Sequence, residues 1–269
     1  MDNVVTPRLI VGAGDMHANP WHAYDMLPRA AAALAGEERK IVLQFGDFGF
    51  WPRMVYGREF LGIVQTICAR EGMEFWFLDG NHEDHETLGQ LADLRRDLGA
   101  SDVPAKVPVP GHPNIYWLQR GYRWAWHGRR WLALGGATSL DRDVRTEGVD
   151  YFPAEEIREH DIRAALPPGA EHADVMVTHD CPSAVVHTYP EYGFPPAEKD
   201  RAARHAHRLQ GVVNRAQPAY LVHGHLHTAY TRLVDMPYGQ CVVTGLACDG
   251  MKGSWAPLDV RDMTWHPVA

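Results

Sequence analysis

Five short segments of the sequence contain side chains that can bind a divalent metal ion, and each follows an apolar run. The segments are GDMH (14–17), GDFG (46–49), GNHE (80–83), THD (178–180) and GHLH (224–227). Their candidate donors are Asp15, His17, Asp47, Asn81, His82, His179, His225 and His227. A single structural zinc ion needs four ligands, whereas this mixture of carboxylates, amide oxygen and imidazoles suits a pair of ions of intermediate softness, such as manganese, iron or zinc.

Each segment by itself also has a purely structural interpretation. In AYLVHGHLHTAY (219–230) the histidines occupy every second position, so on an extended strand all three would share one face. Asp15 suits a turn or a helix cap, and the glycines of GDFG suit a tight turn. The coincidence of five such segments favours a metal site over these separate interpretations.

The elements that must position these residues can be predicted from the hydrophobic pattern. Each apolar run predicts a buried strand, with the polar residues in the loop at its C-terminal end. Helical spacing of apolar residues occurs over 60–68, 88–98 and 198–215, and YRWAWHGRRWLALGG (122–136) predicts a hairpin that turns near His127 and Gly128. The pattern therefore predicts an α/β fold with two sheets packed together and helices outside, in which loops at the strand ends converge.

Composition limits the class of protein. The chain has 269 residues, of which 45% are hydrophobic and 22% charged, so we expect one domain over 1–269. The net charge of -8 argues against stable binding of duplex nucleic acid. The four cysteines include no CxxC pair and predict reduced thiols, and no leader or membrane span is evident. We expect a cytoplasmic protein without membrane association, whose oligomeric state stays open.

The five segments, in this order, resemble the motifs of the calcineurin-like metallophosphoesterases: DxH, GD, GNH followed by Glu or Asp, a lone strand-end His, and GHxH. The resemblance extends over about residues 9 to 247. It implies an α/β fold that is a four-layer αββα sandwich of two mixed β-sheets flanked by helices. It also implies a dinuclear centre with two divalent metal ions, manganese being favoured and iron, zinc, cobalt or nickel being alternatives.

The resemblance further implies a role for each matching residue. The implied ligands of one metal are Asp15, His17 and His227, those of the other are Asn81, His179 and His225, and Asp47 bridges the two. His82 would contact the phosphate and protonate the leaving oxygen. The metal pair would polarise the phosphoryl group and generate hydroxide for an in-line displacement.

The implied function is metal-dependent hydrolysis of phosphate esters, with a phosphodiester of nucleotide type as the preferred substrate. The protein-phosphatase branch of the family carries Arg before GNHE and a GDxVDRG motif, whereas Leu78 and Asp79 precede Gly80 here and GDFGFWPR follows Phe45. A phosphomonoesterase and a dinucleoside polyphosphate hydrolase remain alternatives with the same site. A non-catalytic scaffold is remote because no ligand is missing, and metal storage would not require Asp47, Asn81 or His82.

Other residues have weaker motif support. His85 follows GNHE closely and is a candidate for the layer behind the metal ligands. The predicted helix over 198–215 carries Arg201, Arg204, His205 and Arg208 opposite its apolar stripe. Such a face is usually solvated, yet Arg201 and Arg204 are candidates for contact with a polyanionic substrate.

Three further features complete the set of candidates. The glycine-rich stretch 135–145 is either a functional loop or an ordinary connection. Phe50, Trp51 and Tyr56 either stack on a base or cover the core, and the core is favoured. His223 lies outside the GHxH pattern, so we expect it to support the site rather than bind metal.

Overall fold

The computed structural model of the protein describes residues 5–185 and 193–267. The strands are β1 (Leu9–Ala13), β2 (Lys40–Gln44), β3 (Met73–Phe77), β4 (Lys106–Val109), β5 (His112–Leu118), β6 (Arg123–Trp126), β7 (Arg129–Leu134), β8 (Val175–Thr178), β9 (Tyr220–His223), β10 (Tyr230–Met236), β11 (Gly239–Gly245), β12 (Trp255–Asp259) and β13 (Thr264–Trp265). The α-helices are α1 (Pro20–Ala33), α2 (Val55–Glu71), α3 (His85–Asp97), α4 (Glu159–Ala165) and α5 (Pro196–Ala216). Short 3-10 helices span Arg142–Val144 and Pro153–Glu155.

The strands form two mixed sheets. The first has the order β13-β12-β1-β2-β3-β5-β4, and the second has the order β10-β11-β9-β8-β7-β6. Strands β1, β2, β3 and β5 run parallel in the first sheet, as do β7, β8, β9 and β11 in the second. Antiparallel strands flank both parallel centres.

The alternation of side chains along β3 shows how the layers are built. Phe75 and Phe77 point to one face and pack in a buried cluster with residues of α1, α2 and α3. Trp76 points to the other face, where it joins Trp131 and residues of the second sheet. A third cluster fills the outer face of the second sheet and includes Leu209 of α5. These layers confirm the α/β fold of two mixed β-sheets flanked by helices.

The predicted hairpin and helices are present with small shifts in their bounds. Strands β6 and β7 pair antiparallel, and His127 and Gly128 turn between them with φ of 47° and 75°. Both residues of a tight two-residue hairpin turn need positive φ, which glycine adopts readily. Helix α5 covers the predicted 198–215, but the placement of His205 on its charged face was wrong. His205 is buried, because α5 packs against the second sheet with a broader face than its aliphatic stripe alone.

Two predictions about the whole chain can also be compared with the structure. Cys68, Cys181 and Cys241 are buried free thiols, and Cys248 is a half-buried one. Among the described helices, none combines the length and the apolar character that a membrane span requires.

Candidate metal centre

The five motif segments all lie at the C-terminal ends of parallel strands. The loops with Asp15, Asp47 and Asn81 follow β1, β2 and β3 of the first sheet. THD follows β8 and GHLH follows β9 in the second sheet. Parallel neighbours end at the same edge, and the two sheets share a buried core, so these loops meet at one edge of the sandwich.

One set of candidate ligands, named here the outer group, consists of Asp15, His17 and His227. One ligand atom from each lies within 4.8 Å of the others. The Nε2 atoms of His227 and His17 are 3.0 Å and 3.9 Å from Oδ2 of Asp15. That oxygen is buried, and although Nε2 of His227 is 3.0 Å away, none of the described residues forms a well-aligned hydrogen bond to it. Burial of an unpaired carboxylate oxygen is costly, so the group fits a cation placed between the oxygen and the imidazoles.

A second set, named here the inner group, consists of Asp47, His179 and His225, together with Asn81. Ligand atoms of the first three lie within 4.8 Å of one another. The Nε2 atom of His179 is 3.3 Å from Oδ1 of Asp47 and 3.2 Å from Oδ1 of Asn81. The inner group therefore brings carboxylate, amide and imidazole donors together.

Asp47 lies between the two groups. Its Oδ1 faces His179 at 3.3 Å, whereas its Oδ2 faces Nε2 of His17 at 3.6 Å. The two oxygens of one carboxylate thus point to different groups. This arrangement would allow one carboxylate to contact ions in both groups.

Two imidazoles are oriented by acceptors behind them. Nδ1 of His17 donates to Asp249 at 2.7 Å, and the other oxygen of Asp249 accepts from Asn19 at 2.6 Å. Nδ1 of His179 donates to the carbonyl of Phe45 at 2.8 Å. In both rings the proton on Nδ1 leaves the lone pair of Nε2 directed into the site, where it can bind a metal ion.

His225 is backed by a buried carboxylate. Oδ1 of Asp180 lies 4.0 Å from Nε2 of His225, and Oδ2 of Asp180 accepts from Nδ1 of His205 at 2.6 Å. The backbone amide of Ile157 donates to Nε2 of His205 at 3.1 Å. An amide can only donate, so the proton of His205 resides on Nδ1 and the carboxylate of Asp180 accepts it, while at 4.0 Å the same carboxylate acts on His225 through its charge rather than through a hydrogen bond.

The side-chain amide of Asn81 is oriented by a chain of hydrogen bonds. Nδ2 of Asn81 donates to Oγ of Ser139 at 3.2 Å. That hydroxyl donates in turn to Glu155 at 2.7 Å, and the backbone amide of Ser139 donates to the same carboxylate at 2.7 Å. Because the hydroxyl proton is directed to Glu155, its lone pair accepts from the amide nitrogen, and Oδ1 of Asn81 faces the inner group.

The carboxylates set the charge of the site. Burial disfavours the charged form of His17, but Asp249, Asp47 and Asp15 outweigh it and raise the pKa of His17 to about 11. Burial also disfavours the charged form of His179, but the charge and hydrogen bond of Asp47 outweigh it and raise the pKa of His179 to about 10. The pKa of Asp47 lies well below its usual range, since the charges of His179 and His82 outweigh its own burial. Both groups thus attract positive charge, and a divalent ion would compete with protons for the same nitrogens.

The backbone is unusual at four candidate ligands. His17, Asp47, His225 and His227 have φ of 47°, 53°, 62° and 52°. Left-handed backbone is uncommon for residues with a side chain and stores about 1 kcal/mol or more at each position. Such a concentration of strain at one edge indicates that these loops are shaped for a function rather than for stability.

Two motif glycines allow the loops to approach closely. A Cβ atom on Gly80 would overlap the carboxylate of Asp47 and Nε2 of His179. A Cβ atom on Gly224 would overlap the carboxylate of Asp15. The glycines of GNHE and GHLH are therefore required by contacts across the site.

His82 lies at the mouth of the site, beside both groups. Its backbone amide donates to Oδ1 of Asp47 at 2.7 Å, and its ring centroid is 5.5 Å from that of His17. Nη2 of Arg145 contacts its ring nitrogens at 3.0 Å and 2.9 Å. Burial lowers the pKa of His82, the charge of Asp47 opposes this, and the charges of Arg145 and His17 add to the lowering.

The other residues singled out by sequence lie behind or beside the site. Nε2 of His85 donates to the carbonyl of Gly80 at 3.0 Å and so supports the GNHE loop. Arg201 donates to the carbonyl of Ser139 at 2.7 Å, whereas Arg204 is exposed on α5. His223 is buried and contacts the hydroxyl of Tyr230. Contact of Arg201 or Arg204 with a substrate stays a prediction.

The prediction that the aromatic residues near the second motif cover the core is confirmed for Phe50 and Trp51 and is wrong for Tyr56. Phe50 and Trp51 are buried in the core, and Tyr56 is 53% exposed at the start of α2. Tyr56 alone of these three has a surface on which a base can stack.

Several residues that shape the site were not predicted from the sequence. Asp249 follows β11 by the same strand-end pattern as the ligands, so its position was a usable signal. Asp180 stands within THD, where only the histidine drew attention. Glu83, within GNHE, accepts from the amides of Gly49 and Gly80 and ties two ligand loops together, and burial raises its pKa to about 8. Arg145 is the last residue of the candidate loop 135–145, but no pattern distinguished this arginine within it.

Comparison with known proteins establishes the fold. No protein-family model matches the chain, and no curated protein matches it. The structure of TT1561 of Thermus thermophilus is similar with a TM-score of 0.55 at 13% identity, over 97% of this chain and 98% of that chain. A second solved structure is similar with a TM-score of 0.54 at 15% identity, with the same coverage. At such identities the similarity shows a shared two-sheet α/β fold.

Proposed function

We propose that this protein is a metal-dependent phosphoesterase that hydrolyses phosphodiesters of nucleotide type at a pair of divalent ions. The observation that carries the proposal is the position of Asp47, whose two carboxylate oxygens face the outer and the inner group at 3.6 Å and 3.3 Å. A storage protein or a single-ion site has no need of such a shared carboxylate. Two ions about 3.5 to 4 Å apart suit in-line displacement at a phosphoryl group.

The residues present fit two ions of intermediate softness such as manganese. One ion would be held by Asp15, His17 and His227, and the other by Asn81, His179 and His225. Asp47 would bind both ions. When bound, the pair would polarise the phosphoryl oxygens and activate water. The residues of the chain orient these donors, keep water from the inner group and hold a protonatable ring at the mouth.

His82 is the group that would act on the ester itself. Its side chain is 32% exposed, and its Nε2 is 3.9 Å from Oδ2 of Asp47, so the ring borders the place where a phosphate would sit. A ring N–H there can donate to a phosphate oxygen or to the leaving oxygen. General acid assistance of this kind contributes about 10²- to 10⁴-fold to a rate.

The preference for a diester rests on what precedes Gly80. Leu78 is buried, and Asp79 is buried and bound to Arg120 at 2.7 Å and to Trp117 at 3.2 Å. Neither position supplies the arginine that the protein-phosphatase branch carries before GNHE. A nucleotide is favoured because exposed Tyr56 offers a stacking surface.

The test uses purified protein supplied with manganese and two model substrates, bis-p-nitrophenyl phosphate and p-nitrophenyl phosphate, followed by cyclic and linear nucleotides. We expect a higher kcat/KM for the diester. His82→Ala should lose about 10²- to 10⁴-fold in turnover and keep its metal content. His160→Ala is the matched control, because the side chain of His160 is 66% exposed on α4.

The outcomes separate the alternatives. A strong preference for the monoester selects a phosphomonoesterase, and activity confined to diphosphate bridges selects a dinucleoside polyphosphate hydrolase. If the protein binds two metal ions but hydrolyses no ester, the remaining function is that of a non-catalytic scaffold. Full activity of His82→Ala on esters with both good and poor leaving groups would exclude the acid role.

A further inference from the structure

We propose that Arg145 and Asp141 form a positioning pair that fixes the ring of His82 so that it can donate a hydrogen bond to a phosphate oxygen of the ester. The inference rests on the proposed function, since it assigns a purpose to contacts that His82 makes outside the candidate metal ligands. From the sequence, Asp141 and Arg145 belong only to the polar, glycine-rich stretch 135–145 after a predicted strand. In the structure, this stretch returns to the mouth of the site.

The contacts form a continuous chain from carboxylate to imidazole. Asp141 accepts from Nε of Arg145 at 2.8 Å and from Nη2 at 2.8 Å, which is a two-point contact in the plane of the guanidinium. Nη2 also reaches the ring nitrogens of His82 at 3.0 Å and 2.9 Å. The side chain of Arg145 is only 11% exposed, so the guanidinium is held in place rather than free in solvent.

The remaining bonds of this stretch fix the arginine from several sides. Nη1 of Arg145 donates to the carbonyl of Asp150 at 3.1 Å. The amide of Gly136 donates to the carbonyl of Asp79 at 2.7 Å, which ties the start of the stretch to the loop before His82. Nη2 of Arg53 donates to the carbonyl of Gly148 at 3.4 Å and ties its end to the segment that precedes α2. These attachments make the stretch a wall of the site.

The contact with Arg145 determines which hydrogen-bonding groups the ring of His82 can offer to a substrate. A guanidinium has only donors, so one ring nitrogen of His82 must accept from Arg145 and the other is left as the donor N–H. The backbone amide of His82 is fixed independently by Asp47 at 2.7 Å. With both its backbone and its ring held, the imidazole has one orientation, and its free N–H is available to an oxygen of the ester.

This arrangement differs from direct binding of the phosphate by Arg145. The donors of Arg145 are already directed at Asp141, Asp150 and His82, so no rearrangement is needed for it to act through His82. A direct phosphate ligand would act without His82. The two roles therefore predict different behaviour when both residues are replaced.

The test is a double-mutant cycle on the manganese-loaded protein with Arg145→Met, His82→Ala and the combined variant. Substrates are a pair of diesters with a good and a poor leaving group, such as p-nitrophenyl and alkyl esters. We expect Arg145→Met to lower kcat about 10- to 100-fold, to a similar extent for both leaving groups because a neutral ring donates a hydrogen bond and transfers no proton, with KM and metal content little changed. In the His82→Ala background the same change should lower kcat less than about 2-fold, because effects of residues that act as a unit do not multiply.

Two variants serve as controls. Arg142→Met removes an arginine of the same stretch that binds Glu198, and it should leave kcat unchanged. Asp141→Asn should reproduce part of the Arg145→Met loss, and Arg145→Lys should restore part of it. Multiplicative losses in the cycle would overturn the positioning role and favour direct phosphate contact or an independent structural effect.

A second readout keeps failure of the inference distinct from failure of the proposed function. The ¹⁵N chemical shifts of the His82 ring report which nitrogen carries the proton, whether or not any ester is hydrolysed. We expect Arg145→Met, but not Arg142→Met, to change these shifts. An inactive wild type would refute the proposed function alone, whereas unchanged His82 shifts in Arg145→Met would refute the positioning pair.

Discussion

The outer and inner ligand groups both combine a carboxylate with imidazoles, and the inner group adds the amide of Asn81, but they differ in their access to solvent. In the inner group, the side chains of His179, Asp47 and His225 are 0%, 2% and 11% exposed. In the outer group, those of His17 and His227 are 27% and 46% exposed. The inner group resembles a sealed site, whereas the outer group opens toward the mouth where His82 lies.

The residues behind the two groups differ in the same way. The inner group is supported by the buried carbonyl of Phe45 and by the buried Asp180 and His205. The outer group is supported by Asp249, whose side chain is 17% exposed. We therefore expect the inner ion to exchange slowly and the outer ion to exchange readily and to be the one nearer to substrate.

Replacement of the shared carboxylate should have the largest effect, since it removes the link between the groups. Asp47→Asn should reduce metal content from two ions per chain and lower kcat/KM on the order of 1,000-fold, comparable to loss of one member of a catalytic unit. Metal analysis and diester hydrolysis measure both. Asp25→Asn, at a side chain that is 65% exposed, is the control. Retention of two tightly bound ions would contradict a bridging role.

A matched pair of histidine variants tests the difference in exposure directly. His179→Asn should lose an ion that excess manganese does not restore, because the buried site depends on a fixed shape. His227→Asn should lose activity that excess manganese partly restores, because its site is open to solvent. Activity as a function of manganese concentration distinguishes the two. If excess manganese restores both variants equally, the expected difference between the inner and the outer group is wrong.

The carboxylates behind the ligands allow a finer test. Asp249→Asn and Asp180→Asn should each weaken metal binding about 10- to 100-fold, the usual effect of removing an orienting partner. The first change should affect the readily exchanged ion and the second the slowly exchanged one. Metal titration followed by chelator competition resolves them, with the melting temperature of each variant as a check on folding. Loss of the same ion in both variants would contradict the assignment.

Replacement of Glu74, which lies away from the candidate ligands, should have the smallest effect. It provides a reference for how the stability of the protein declines in acid. Burial raises the pKa of Glu74, but hydrogen bonds from Arg39, Lys106 and Trp76 outweigh it and lower the pKa to about 2. Because this pKa lies below the ordinary value of 4.5, the stabilisation is complete above that pH and is lost as the pH falls toward 2.

Glu74→Gln should therefore lower the free energy of unfolding at neutral pH by about 1 kcal/mol, since the pair is partly exposed to solvent, and should flatten its decline in acid. Denaturant unfolding at several pH values measures this with and without manganese. The change should be the same in both conditions. A metal-dependent change would mean that the site and this cluster are coupled.

Much of the fold was predictable because its signals are local. Apolar runs, helical spacing and the turn at His127 and Gly128 specify strands, helices and the β6–β7 hairpin from neighbouring residues alone. The burial of His205 was not predictable, because it depends on the Asp180 carboxylate supplied by a distant strand end. A charged helical face looks the same in sequence whether it meets water or a buried partner.

The sequence by itself determined which donors the site contains, since Asp15, Asp47, Asn81 and the motif histidines each stand directly after an apolar run. It also contains the glycines Gly80 and Gly224, although the contacts that require glycine there exist only in the folded site. The resemblance implied that Asp47 lies between two groups, and only the tertiary structure decided that one group is sealed and the other open, and that Arg145 contacts His82. The physical reason is that donor type is a property of a residue, whereas exposure, bridging and orientation arise from contacts between segments far apart in the chain.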